Sequence, residues 1–132
     1  ALIGAALANK RSGNRIITSK VEHASVSSTM AFLESLGFEV VYLNVDHQGI
    51  VDLEQLEQEV NEDTILVSVM YVNNEIGAIE PIDEIARLVH GKSRFRRSQR
   101  LSKKRIRRRS FMWMRFRHLA NITFTRNGWV SI

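Results

Sequence analysis

Apolar and polar positions along residues 1–90 fall into blocks with two different periods. Thr64 to Val72 (TILVSVMYV) is almost wholly apolar or β-branched, the pattern of a strand covered on both faces within a parallel sheet. Arg15 to Ser19 (RIITS) and Phe38 to Leu43 (FEVVYL) are shorter runs of the same kind, each read as a strand. The stretches between them have a helical period. In Ala24 to Leu36, the residues Val26, Met30 and Leu33, with Phe32 as a further candidate, recur at spacings of three or four and share one face. Gly37 then supplies the C-cap.

Local signals place the remaining elements. Ala1 to about Arg11 is rich in Ala and Leu and is helical by propensity. The cluster Ser12-Gly13-Asn14 ends it. Asp46-His47-Gln48-Gly49 is a turn. Asp52 followed by Gln55 has the spacing of a capping box, opening a short acidic helix from Leu53 to Val60. Asn73 to Gly77 is turn-like, and Pro81 suits the first turn of a last helix, Ile82 to about His90. Helix and strand thus alternate, which predicts an α/β domain with a mainly parallel sheet and helices packed on it.

Charge divides the chain where this pattern stops. Residues 1–90 hold five Lys and Arg against all 14 Asp and Glu, a balance of −9. Residues 91–132 hold 14 Lys and Arg and no acid, +14, together with both tryptophans and four of the six phenylalanines. The formal net charge of +5 averages these two unlike parts. There is no cysteine, so no disulfide, thiolate metal site or thiol nucleophile is available, and no metal site is expected. No apolar stretch approaches the roughly 18–20 residues of a membrane span. The start, ALIGAALANKR, is apolar before it is basic, the reverse of a signal peptide.

In an open parallel sheet, ligands bind beyond the C-terminal ends of the strands. Two polar residues occupy such ends: His23 after the first strand and Asn74 after the third. Each also has an ordinary structural reading. A single His after a strand serves as a partly exposed loop residue, and an Asn pair in a loop supplies turn geometry.

A resemblance adds to this. The blocks Val21-Glu22-His23, Leu36-Gly37-Phe38-Glu39-Val40, Gly49-Ile50-Val51-Asp52-Leu53 and above all Asp63 to Gly77, ending in V-N-N-E-I-G, are similar to the cysteine desulfurases of the class V aminotransferase group. The similarity runs from Ile16 to Val89. It implies part of the large domain of a fold-type-I pyridoxal-phosphate enzyme. The implied activity is removal of sulfur from L-cysteine, leaving alanine, with the sulfur passed on as a persulfide for transfer and iron–sulfur cluster assembly. The implied cofactor is pyridoxal 5'-phosphate. His23 would be the catalytic residue, stacking on the cofactor ring and assisting proton transfer; an imidazole offers both a flat face and a proton exchangeable near neutral pH. Asn74 would hydrogen-bond the cofactor's phenolic oxygen. Asn73 and Glu75 would hold the loop. The family also implies a homodimer, sulfur-acceptor or scaffold proteins as partners, and a cytoplasmic setting, mitochondrial in eukaryotes. A related class V enzyme such as selenocysteine lyase is an alternative.

The chain departs from that family's pattern. The phosphate-binding turn would precede Ala1. The Asp that pairs with the pyridinium nitrogen is expected 20–25 residues after Asn74, where Arg94-Phe95-Arg96-Arg97 stand instead. The cofactor-anchoring lysine motif and the sulfur-carrying cysteine have no counterpart, so the chain is expected to be inactive alone. The part from 1 to 90 is therefore read as a partial transferase domain. The part from 91 to 132 is read as a basic, disordered tail, with a marginal helix between about Leu101 and His118, and as the product of a frameshift. The alternative for the tail is a nucleic-acid-binding module in which arginines meet phosphates and Phe111, Trp113 and Phe116 stack on bases. The domain is further expected to expose strand edges and apolar surface.

Overall fold

The computed structural model describes the backbone of residues 1–101, 121–125 and 128–131 and the side chains of residues 1–91. In chain order the elements are α1 (Leu2–Asn9), a 3-10 turn (Lys10–Ser12), β1 (Arg15–Ser19), α2 (Ala24–Ser35), β2 (Glu39–Leu43), α3 (Leu53–Glu59), β3 (Thr64–Met70), α4 (Ile82–Leu101), β4 (Asn121–Thr125) and β5 (Gly128–Ser131). The strand order is β2-β1-β3-β4-β5. β1 runs parallel to both β2 and β3. The expected three-stranded parallel sheet with flanking helices is therefore present.

Side-chain alternation along the strands builds a core on each face of the sheet. Ile16 and Leu66 pack with Ala6, Met30 and Leu33 of α1 and α2. Ile17, Val67 and Val69 pack on the other face with Leu56 of α3 and Ile85 and Val89 of α4. Both faces of β3 are thus covered, and six of its seven residues are buried. That is why its sequence shows no polar alternation. Burying each large aliphatic side chain of this kind contributes roughly 1.5–3 kcal/mol.

Several boundaries and one facing differ from the sequence pattern. The first helix is α-helical only to Asn9 and closes as a 3-10 turn at Ser12. The third strand stops at Met70, and Val72 instead bridges Ile79 across the following loop. Phe32 does not share the buried face of α2 and is 49% exposed. Its position is adjacent to Leu33, about 100° around the helix. The capping box at Asp52 is half made. Asp52 Oδ1 accepts from Gln55 N at 2.9 Å, but Gln55 Oε1 accepts from Asn44 N at 2.7 Å, tying α3 to the end of β2.

α4 continues past His90 to Leu101. Within the segment expected to be a disordered tail, β4 runs antiparallel along β3 from Leu66↔Thr125 to Met70↔Asn121, and β5 pairs with β4. The edge of β3 carries unpaired N–H and C=O groups, and Asn121–Thr125 (NITFT) is β-branched and aromatic enough to extend it. Residues 102–120, which include most of the expected marginal helix, lie outside the described residues.

Candidate functional site

The C-terminal ends of β1 and β3 lie side by side because the two strands are adjacent and parallel. Each continues into a loop that bears one of the two candidate residues. After β1 come Lys20, Val21, Glu22 and His23; after β3 come Tyr71 to Gly77.

His23 is the N-cap of α2. Its Nδ1 accepts from Ser25 N at 3.2 Å and lies 2.8 Å from Ser25 Oγ. These contacts engage Nδ1, and Ser25 is the partner they hold it to. The residue is exposed. Asn74 is also exposed, and its neighbours hold it in place. Asn73 is buried. Its Oδ1 accepts from the backbone N–H groups of Glu75 and Ile76 at 2.9 and 3.2 Å, an Asx turn that shapes the loop around position 74. Gly77, at φ 71, closes the turn, with its N–H donating to Asn73 O at 2.9 Å. The expected loop-holding role of Asn73 is thus visible. Glu75 contributes its backbone N–H to the same turn.

Two hydrogen bonds tie the loop after β1 to the end of β3 and the loop that follows it. Asn73 Nδ2 donates to Val21 O at 3.2 Å, across 52 residues of sequence. Met70 N donates to Glu22 Oε1 at 2.6 Å. Ser19 Oγ donates to the same oxygen at 3.2 Å. The sequence marks Glu22 only as part of the Val21-Glu22-His23 block and gives it no role; the packing of β1 on β3 reveals its burial. That burial pushes its carboxyl up from 4.5 to about 7, against the lowering effect of the Met70 and Ser19 hydrogen bonds, and Glu80 adds a like-charge contribution.

Glu80 fastens a second layer. Its carboxylate is buried and accepts from Val51 N at 3.1 Å. Burial raises its pKa, while the Val51 bond opposes the rise. The Asp46–Gly49 turn also meets the Asn74 loop, since Gly49 lies against Ile76. Around the loop, Tyr71, Val72, Ile76 and Ile79 are exposed apolar side chains. An open hollow of about 490 Å³ beside them is lined by Tyr71, Ile79, Glu80, Pro81 and Arg87. No group of His, Asp and Glu among the described residues is placed to hold a metal.

His23 and Asn74 thus follow the C-terminal ends of adjacent parallel strands, the end of an open α/β sheet at which ligands bind. The family can then be stated. The model for aminotransferase class-V matches residues 1–95, and the chain belongs to that family.

Within it, the chain is 53% identical over 93 residues to cysteine desulfurase IscS of Clostridium botulinum, covering 70% of this chain and 23% of the relative. It is 48% identical over 93 residues to cysteine desulfurase IscS 1 of Archaeoglobus fulgidus, covering 70% and 24%. A solved NifS-like protein superposes with a TM-score of 0.68 at 43% identity, covering 70% of this chain and 26% of that one. The fold is accordingly that of the fold-type-I pyridoxal-phosphate enzymes. The chain spans about a quarter of the length of these relatives.

Proposed function

We propose that residues 1–95 form one wall of the cofactor pocket of a cysteine desulfurase. The observation that carries this reading is the joining of the Glu22-His23 loop to the Asn73-Asn74 loop by direct hydrogen bonds. The cofactor of the class, pyridoxal 5'-phosphate, supplies an electron sink for bond breaking at the amino acid's α-carbon when it is bound. His23 would hold that cofactor by stacking its ring on it, with Nε2, the ring nitrogen not committed to Ser25, free to move a proton. Asn74 would hold its phenolic oxygen through the amide N–H. Asn73 fixes the turn on which Asn74 stands.

The substrate in this reading is L-cysteine, the products are alanine and a persulfide, and the setting is cytoplasmic. No described helix is long and apolar enough to cross a membrane. The partners proposed are a second copy of the chain and a sulfur acceptor. The reading also holds that the chain alone does not turn over. The family match ends at residue 95, and acidic residues end at Glu84. Both support reading the basic segment as a change of frame rather than a nucleic-acid module. Genomic sequence spanning codon 90 tests this: a one- or two-base shift restores a strand bearing the Asp expected 20–25 residues after Asn74 if the reading is right.

Pyridoxal 5'-phosphate titrated into the purified chain tests the pocket. The expected result is reversible, weak binding, reduced at least fivefold by His23→Ala and by Asn74→Ala, with no absorbance band surviving dialysis. A band that survives dialysis and disappears on borohydride reduction would overturn the expected inactivity. Binding unchanged in both variants would overturn the site.

A further inference from the structure

Glu22 sits where the two halves of the candidate site are joined, and its surroundings are unusual for a carboxylate. One oxygen, Oε1, accepts from both Met70 N at the end of β3 and Ser19 Oγ at the end of β1. The other, Oε2, is sealed from solvent and has no hydrogen-bond partner among the described residues. Among the described residues the charged group that acts on Glu22 is another carboxylate, Glu80, and no ion pair to Glu22 is found. The elements packed against it bring a hydroxyl from β1, a backbone N–H from β3, and, from the segment before α4, the carboxylate of Glu80. An ionised carboxylate here has a buried oxygen without a partner and a like charge nearby, both of which favour its release to water. Protonated, the same group keeps its Oε1 bonds and carries no charge.

We propose that Glu22 is a positioning residue: in its protonated form it clamps the loop bearing His23 to the strand leading to Asn74, and loss of the proton loosens the clamp. The inference rests on reading His23 and Asn74 as the cofactor contacts, because the clamp matters to function only if both must face one ligand. Its chemistry is local. His23 is the next residue in the chain, so displacement of the Glu22 carboxyl shifts the N-cap of α2. The end of β3 is three residues from Asn73, so release of Met70 N frees the start of the second loop. The depth of burial, which pushes the Glu22 carboxyl up to about 7, puts the change within the physiological range.

The test uses the full chain without cofactor, so its outcome is separate from that of the pocket reading. Amide exchange at Met70 is followed by NMR from pH 5.5 to 9 in wild type, Glu22→Gln and Glu22→Ala. Core amides of Leu56 and Ile85 report folding. In wild type, Met70 protection, corrected for intrinsic exchange, falls at least tenfold between pH 6 and 8.5. Glu22→Gln, which keeps an acceptor at Oε1, retains protection and removes the pH dependence. Glu22→Ala loses protection at every pH while the core amides stay protected. Wild-type pH dependence persisting in Glu22→Gln would overturn the proposal. So would wild-type Met70 protection in Glu22→Ala. If the clamp behaves as expected but pyridoxal 5'-phosphate does not bind, the cofactor reading fails and the clamp stands.

Discussion

Replacing Gly49 by Ala separates two costs that usually arrive together. Gly49 has φ 84 and Gly37 has φ 85, so both occupy the left-handed region. A side chain there costs roughly 1–2 kcal/mol. The reduced freedom of the unfolded chain that accompanies Gly→Ala opposes this by about 0.4–1 kcal/mol. At Gly37 nothing stands within 4 Å of an added Cβ, so Gly37→Ala is expected to destabilise by backbone strain alone, about 0.5–1.5 kcal/mol. At Gly49 the added Cβ would overlap Cδ1 of Ile76. Ile76 is 59% exposed, so it can turn aside at an off-rotamer cost of roughly 0.5–1.5 kcal/mol. Gly49→Ala should therefore cost more than Gly37→Ala by about that amount.

The excess has a distinct signature, because Ile76→Val removes the offending methyl while Cγ1, at 3.5 Å, stays at ordinary contact distance. In the Ile76→Val background the cost of Gly49→Ala should fall to that of Gly37→Ala, a coupling of roughly 0.5–1.5 kcal/mol. Urea unfolding of the four members of the cycle, with Gly37→Ala as the reference for strain, measures it. Equal costs for the two glycines, or a coupling indistinguishable from zero, would refute the claim that the Asp46–Gly49 turn is packed against the Asn74 loop. The Asn74 amide resonance should shift in Gly49→Ala and stay put in Gly37→Ala.

Two further outcomes follow from burial. Glu22 has a folded-state pKa above its unfolded value of 4.5, so the folded state binds the extra proton. Stability should therefore fall as pH rises from about 4.5 through about 7 and level off above. The upper bound on the loss is about 3 kcal/mol, at 1.36 kcal/mol per unit. Glu22→Gln should flatten that slope in unfolding curves taken at pH 5 and pH 8.5, and an unchanged slope would assign it to another group. On α2, Leu33→Ala should cost about 2–5 kcal/mol, as for other buried leucines. Phe32→Ala, one position along and half exposed, should cost well under half as much; thermal unfolding that ranks them the other way would reverse the assigned face of the helix.

Much of the domain is legible from the chain because its signals are local or periodic. Arg15–Ser19 and Thr64–Met70 are strands because uninterrupted β-branched and apolar runs suit a sheet covered on both faces. Asp52 caps α3 because a carboxylate three residues before a free N–H needs no distant partner. The V-N-N-E-I-G block and the V-E-H block carry the family by residue identity. They also place His23 and Asn74 at strand ends, since strand direction in an alternating α/β chain is set by the alternation itself.

The tertiary structure decided what depends on approach between distant segments. Asn73 reaches Val21 across 52 residues, and Gln55 turns from its expected capping bond to Asn44. No sequence spacing encodes either choice, because each follows from the distance between elements that fold separately. Phe32 belongs to an apolar pattern yet faces out, since the sheet covers only one side of α2. β4 extends β3 because an unpaired strand edge accepts any β-capable partner within reach. Among 14 acidic residues, packing alone revealed that Glu22 and Glu80 have raised pKa values through burial. Desolvation depends on what surrounds a carboxyl in space, and β1, β3 and the segment before α4 meet only in the folded domain.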